Sequence, residues 1–196
     1  MGEFEVALRD LIERIKSRRP RDVIHALEDS GPLFEFNNFP VNMPTAPGYY
    51  EEVVPAALQE RPLRDDEQAL IVQAVEDAIV EELITRREST LSSLLTTLRH
   101  AHLWDAAPVL LEVLVNEEAQ LSMQELHTVV DALYSSLRRF DDDDPHIGEV
   151  RAAFRALDPR PVLDRVTGMR PAEPHEDLPE DARSILRMLG ERNLIA

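Results

Sequence analysis

Histidine and aspartate residues that could bind a metal stand close together at several points of the sequence. His100 and His102 lie two residues apart, just before the single tryptophan, Trp104. Two residues at this spacing point about 200° apart on a helix, so their rings cannot bind one ion. Zinc helices place histidines four apart, as in H-E-x-x-H, a motif that the sequence lacks. We therefore expect residues 99–115 to join two packed helices, with His102 on the apolar stripe of the first.

Acidic residues suggest a calcium site at 141–144, where four aspartates are contiguous and Pro145 follows. An EF-hand loop instead needs alternating ligands, a glycine at the sixth position and a glutamate at the twelfth. We therefore interpret this stretch as a solvated turn that caps the next helix.

Acid–histidine pairs within one helical turn are a third candidate for chemistry. Di-iron bundles require Glu-x-x-His motifs on two helices, and none is present. The expected result is three surface pairs: Asp22 with His25, His127 with Asp131 and Asp143 with His146.

Catalytic motifs are not found elsewhere in the sequence. It has no cysteine, no G-x-S-x-G elbow, no G-x-G-x-x-G loop and no P-loop. We expect no metal, no cofactor and no enzymatic activity.

The elements that would position any site are predicted to be helices. Aromatic residues make up 5% of the chain and glycines number 6, which disfavours a β-sandwich or barrel. The sequence predicts an all-α fold, an irregular stack of antiparallel helical hairpins within a single domain at 1–196. Its parts are N-terminal helices at 1–30, a loop at 31–50, a helical stack at 51–157, and an extended segment with a C-terminal helix at 158–196. The longest helix, near 64–88, carries a wide apolar face: Leu70, Ile71, Ala74, Val75, Ala78, Ile79 and Leu83.

The stretch "AAPVLLEVLVNEEAQLSMQELHTVVDALYSSL" at 106–137 resembles a HEAT-type helical repeat. It has a proline near the start of its first helix, leucines at spaced core positions, and Ala-Leu near the end of its second helix. The resemblance implies a HEAT-like α-solenoid that binds macromolecules along one face. An orthogonal bundle is the alternative architecture.

The loop at 31–50 combines four prolines with half of the chain's aromatic residues. Its rings either form a preorganised recognition surface or act as a lid that covers the core, and the sequence does not separate these two interpretations. The aromatic residues concerned are Phe34, Phe36, Phe39, Tyr49 and Tyr50.

The net charge of −17 disfavours binding to nucleic acid or to anionic membranes and favours a partner protein with a basic surface. We expect a cytoplasmic, bacterial protein-binding module or adaptor, for example an immunity protein that neutralises a basic toxin. The alternative is a small-ligand-binding protein or enzyme with a pocket beneath the aromatic loop. The acidic residues expected to contact a partner are Glu76, Asp77, Glu81, Asp141, Asp142 and Asp143.

Overall fold

The computed structural model describes residues 2–17, 19–38, 54–85 and 90–195, without the side chains at 35–38 and 119. Over these ranges every regular element is helical and there is no strand, which confirms the predicted all-α fold. The chain divides into two compact units, Met1–Ala101 and His102–Ala196, where the sequence predicted one domain.

The first unit contains four α-helices and one short 3₁₀ helix among its described residues. They are α1 (Glu3–Ile15), α2 (Pro20–Asn38), η1 (Ala56–Gln59), α3 (Asp65–Thr85) and α4 (Thr90–Leu98). Helix α1 packs on α2, η1 and α3, and α4 packs on α2 and α3. Contact of α3 with two helices agrees with the wide apolar face that the sequence predicted for it.

The second unit contains five α-helices and one 3₁₀ turn in the part of the chain that the structure describes. They are α5 (Leu103–Asn116), η2 (Glu118–Gln120), α6 (Met123–Arg139), α7 (Ile147–Ala156), α8 (Arg160–Thr167) and α9 (Leu178–Glu191). Helices α5 and α6 pack as a pair, α7 lies against α5, and α9 lies against α6 and α8.

Residues 106–137, which carry the HEAT-type resemblance, fall within the packed pair of α5 and α6. The second helix begins with a capping box: the Ser122 amide donates to Glu125 Oε2 at 2.7 Å, and the Glu125 amide donates to Ser122 Oγ at 3.3 Å. Both donors would otherwise lack an intrahelical partner. Membership of the repeat family stays a prediction.

Helix α2 corrects the predicted boundary of the loop at 31–50. The sequence indicated an end at Gly31, but the helix continues through Pro32 to Asn38. A proline inside a helix removes one backbone hydrogen bond. Leu33 and Phe34 are fully buried in this extension, and burial of two large apolar side chains outweighs that local cost.

Two further expectations are corrected by the structure. Residues 158–180 were expected to be mostly extended, yet α8 begins at Arg160, directly after Pro159. Pro161 lies in the first turn of this helix, where proline is suited because the first amides of a helix have no intrahelical acceptor. Leu70 was placed on the buried face of α3 but is 55% exposed.

No helix in the described ranges is long and apolar enough to cross a membrane.

Candidate functional site

Helix α3 carries the first group of acidic residues that were predicted to contact a partner. Glu76, Asp77 and Glu81 all lie on this helix. The Asp77 carboxylate is 2.7 Å from Lys16 Nζ at the end of α1, and each side chain is about half exposed. Gln73 Nε2 donates to Glu76 Oε2 at 2.9 Å. The structure therefore brings these three acids onto one helix, with one of them paired to the chain's single lysine.

A cavity of about 110 Å³ lies between the end of α1 and this part of α3. Its lining combines apolar side chains with charged ones: Ile15, Lys16, Ser17, Val23, Asp77, Ala78, Glu81 and Glu82. The lining thus brings three carboxylates and one ammonium group together at the side of α3.

Glu67 fixes the first turn of α3. Its carboxylate accepts two hydrogen bonds from Arg61, at 2.8 and 2.7 Å, and one from the Arg64 amide at 2.9 Å. Paired mainly with Arg61, the Glu67 carboxyl has its pKa lowered from 4.5 to about 2. The Arg61 guanidinium lies 3.8 Å from the centre of the Phe4 ring, so the same arginine connects α3 to α1.

The aspartate run forms an ordered turn before α7. The Asp143 amide donates to Asp141 Oδ1 at 3.2 Å, and the His146 amide donates to Asp144 Oδ1 at 2.8 Å. Asp141, Asp142 and Asp143 are exposed. These contacts agree with the predicted solvated turn, but the predicted capping is wrong: the residue that precedes α7 is His146, and no side chain makes a capping hydrogen bond there.

Arg192, at the end of α9, holds this turn against α6. Its Nη1 donates to the carbonyl oxygens of Leu137 and Phe140, both at 2.9 Å, and its Nε is 3.3 Å from Asp142 Oδ1. The guanidinium thus donates to carbonyls at the C-terminal end of a helix, where intrahelical donors run out. Because Arg192 lies 50 residues from Asp142 in sequence, no local pattern could have indicated this contact.

Titratable side chains also meet where α6 packs against α9. Burial, and then the neighbouring carboxylates of Asp131, Asp177 and Glu180, raise the pKa of Asp181 from 3.8 to about 6. Near one end of this contact, Nδ1 of His127 is 3.0 Å from Nδ1 of His175. At that distance one ring must donate and the other accept. Neither Asp181 nor His175 lies in a local sequence pattern that predicts these contacts.

The region around Trp104 is a helix junction, as the sequence predicted, but His102 is not on the apolar stripe of α4. That helix ends at Leu98, and His102 stands immediately before α5. The Trp104 ring lies between two imidazoles, with centroid distances of 4.0 Å to His102 and 4.1 Å to His146. Within the described residues, no group of three or more acidic, histidine or cysteine side chains could hold a metal ion.

The predicted acid–histidine pairs give way to other partners for the histidine rings. The rings of His25 and His146 contact Glu28 and Glu149, at 3.0 and 2.9 Å. The His127 ring contacts that of His175. Glu28 and Glu149 each lie three residues after the histidine that they contact, which is a neighbouring position on a helix. For His25 and His146 the predicted partner was instead an aspartate three residues before the histidine.

The aromatic residues proposed as a recognition surface fall into separate groups. Phe34 is fully buried in α2, so its ring belongs to the core and is not available to a partner. Phe36 lies within α2, but its side chain is outside the described residues. Phe39, Tyr49 and Tyr50 lie outside the described residues altogether, and their role stays a prediction.

Comparison of the chain with protein-family models, with curated proteins and with solved structures finds no match.

Proposed function

We propose that the chain is a non-catalytic module that binds a protein with a basic surface. The net charge of −17 attracts such a partner over a distance and speeds diffusional encounter. The observation that carries the proposal is the turn at 141–144, where three aspartates are exposed. Arg192 hydrogen-bonds the Leu137 and Phe140 carbonyls just before the turn and contacts the Asp142 carboxylate within it. Carboxylates in a fixed geometry lose little conformational entropy when they pair with cations.

Two forms of this function fit an acidic binding module. In the first, the chain is an immunity protein that covers the basic active-site surface of a toxin. In the second, it is an adaptor in a larger assembly, which the HEAT-type resemblance of residues 106–137 also favours. The first form predicts that the chain abolishes the partner's activity; the second predicts binding that leaves this activity intact.

A small-ligand-binding protein or an enzyme is the alternative function, with a pocket beneath residues 31–50. It depends on residues 39–53, which the structure does not describe. This alternative therefore stays a prediction.

The proposal is tested by affinity capture from a lysate of the source cell. The bait is the full chain, and the matched bait carries Asp141→Asn, Asp142→Asn and Asp143→Asn. The amide is nearly the size of the carboxylate and can also accept hydrogen bonds, so the turn should persist. We expect the wild-type bait to retain a basic protein at about 0.1 M salt and release it at about 1 M, where screening is stronger.

The variant bait should retain much less of that protein while melting at the wild-type temperature. Equal recovery on both baits, or recovery that ignores salt, would refute the proposal.

A further inference from the structure

We propose that the exposed face of α3 binds an amphipathic, basic helix of the partner. This inference rests on the proposed function and adds the structural class of the partner segment. We call this face the α3 stripe and define it as Leu70, Gln73, Asp77, Val80 and Ile84.

The α3 stripe contains large apolar side chains that the fold leaves in solvent. Leu70, Val80 and Ile84 are 55%, 54% and 78% exposed. On the opposite side of the helix, Ile71, Val75 and Ile79 are at most 1% exposed. The helix therefore has a buried apolar face and a second apolar face that does not serve the core of its unit.

The spacing of the α3 stripe is that of a helix–helix seam. Its members follow one another at intervals of three, four, three and four residues, which keeps them on one side of a helix. In a coiled coil, the positions that face the partner helix follow one another at the same alternating intervals. Val80 and Ile84 are neighbours at i, i+4, and Leu70 lies on the same side of the helix beyond Gln73 and Asp77. Single exposed apolar residues are common on protein surfaces, whereas several on one side of a helix indicate an interaction site. The pattern thus fits a helical occupant.

The charges beside the stripe decide which helix fits. Glu76 lies about 80° to one side of the middle of the stripe and Glu81 about 60° to the other. Asp77 lies within the stripe itself. A second copy of the chain would place the same carboxylates against each other, and like charges at an interface are unfavourable. A helix with apolar residues along its centre and lysine or arginine on its flanks complements both features.

The cavity beside Asp77 gives one cation of that helix a defined position. Asp77 and Glu81 line the cavity, together with the buried Glu82. Lys16 already contacts Asp77 at 2.7 Å. A basic side chain of the partner would therefore compete with Lys16 for Asp77, and removal of the lysine ammonium should strengthen binding.

The test uses the full chain and three labelled synthetic peptides of about 21 residues, a length of about six turns. The first places leucine at the three-and-four spacing and lysine or arginine on the flanks. The second has the same composition in scrambled order, and the third replaces the basic residues with glutamate. We expect the first peptide to bind at least tenfold more tightly than the scrambled one in fluorescence anisotropy. The glutamate peptide should not bind.

Two variants then locate the binding face. Val80→Ser with Ile84→Ser should weaken binding of the first peptide at least tenfold at an unchanged melting temperature. Val6→Ser is the matched control, since Val6 is also exposed, at 44%, but lies on α1, and it should leave affinity unchanged. Lys16→Met should tighten binding about two- to fivefold, an effect that a purely structural role of Lys16 would not produce.

The two proposals fail in distinguishable ways. If neither basic peptide binds and the affinity capture also fails, the proposed function is wrong. If both basic peptides bind equally well, and if the Val80→Ser, Ile84→Ser variant binds them as tightly as the wild type does, charge alone is sufficient for binding and the α3 stripe is not the site. If sedimentation shows that the protein is a dimer that this variant makes monomeric, the stripe binds a second copy and the inference is overturned.

Discussion

The two acidic surfaces differ in what surrounds their carboxylates. On α3 in the first unit, the acids lie among three exposed apolar side chains and beside a cavity. At 141–144 in the second unit, the acids lie on a turn of aspartates followed by a proline, with a guanidinium behind them. Exposed charge mainly raises the rate of association, whereas buried apolar contact lowers the rate of dissociation. We therefore expect the carboxylates of both surfaces to speed association with a basic partner, and the exposed apolar side chains of α3 to slow dissociation.

The largest expected effects concern aromatic residues of the first unit, one of which lies in the core while two are predicted to bind a partner. Phe34→Ala should lower the free energy of unfolding by about 3–5 kcal/mol, because it leaves a cavity in the core. Phe36→Ala and Tyr50→Ala should change stability little and abolish capture of the partner, if these rings form the predicted recognition surface. Thermal melts and affinity capture, run in parallel, check both. If Tyr50→Ala destabilises the protein and the folded fraction binds the partner with unchanged affinity, the segment at 31–50 acts as a lid over the core.

A smaller effect is expected from the contact that fixes the start of α3. Glu67→Gln should destabilise the chain by on the order of 2 kcal/mol at pH 7, since it weakens the pair with Arg61. The pKa of Glu67 is lowered from 4.5 to about 2, so its contribution is complete above pH 4.5 and is lost as the pH falls towards 2. Urea unfolding of the wild type and the variant from pH 7 downwards should show that their difference in free energy of unfolding becomes smaller below pH 4.5. If that difference is constant with pH, the Glu67 carboxylate does not stabilise the fold through this pair.

The corresponding contact in the second unit is that of Arg192 with the acidic turn. Arg192→Met keeps the aliphatic stem but removes the hydrogen bonds to the Leu137 and Phe140 carbonyls, so it should cost about 1–2 kcal/mol. It should also reduce capture of the partner, because the turn is no longer held. Unchanged capture by a destabilised variant would show that the fixed geometry of the turn is unimportant for binding.

The smallest effect is expected at Asp181. Its pKa is raised from 3.8 to about 6, so the native state holds the proton more tightly than the unfolded chain. Stability is therefore greatest at low pH, falls as the pH rises from about 3.8 to about 6, and stays reduced above that. Asp181→Asn should raise the melting temperature by about 2 °C at pH 8 and have little effect near pH 4. Asp164→Asn is the control, since it makes the same substitution at an exposed position.

Local patterns predicted the elements whose signals lie close together in the sequence. The apolar periodicity near 64–88 agrees with α3 (Asp65–Thr85). The aspartate run with its proline agrees with the turn before α7. In both cases neighbouring residues supply the signal that determines the structure.

The structural features that could not be predicted from the sequence depend on contacts between residues that are far apart in the chain. Helix α2 continues past Pro32 because Leu33 and Phe34 are buried in the core of the first unit. Leu70 was assigned to the core by periodicity alone, which does not reveal how wide a face the neighbouring helices cover. His127 contacts His175, 48 residues away. Likewise, only the fold shows that Arg192 holds the aspartate turn.

The rate of association with the captured partner tests the central claim most directly. Stopped-flow measurements at about 0.1 and about 1 M salt would compare the wild type with two triple variants. The first carries Glu76→Lys, Asp77→Lys and Glu81→Lys on α3. The second carries Asp141→Lys, Asp142→Lys and Asp143→Lys in the turn. We expect each variant to associate at least tenfold more slowly at low salt, and all three proteins to converge at high salt. Association rates that are indifferent to both the reversals and the salt would contradict binding to a basic partner.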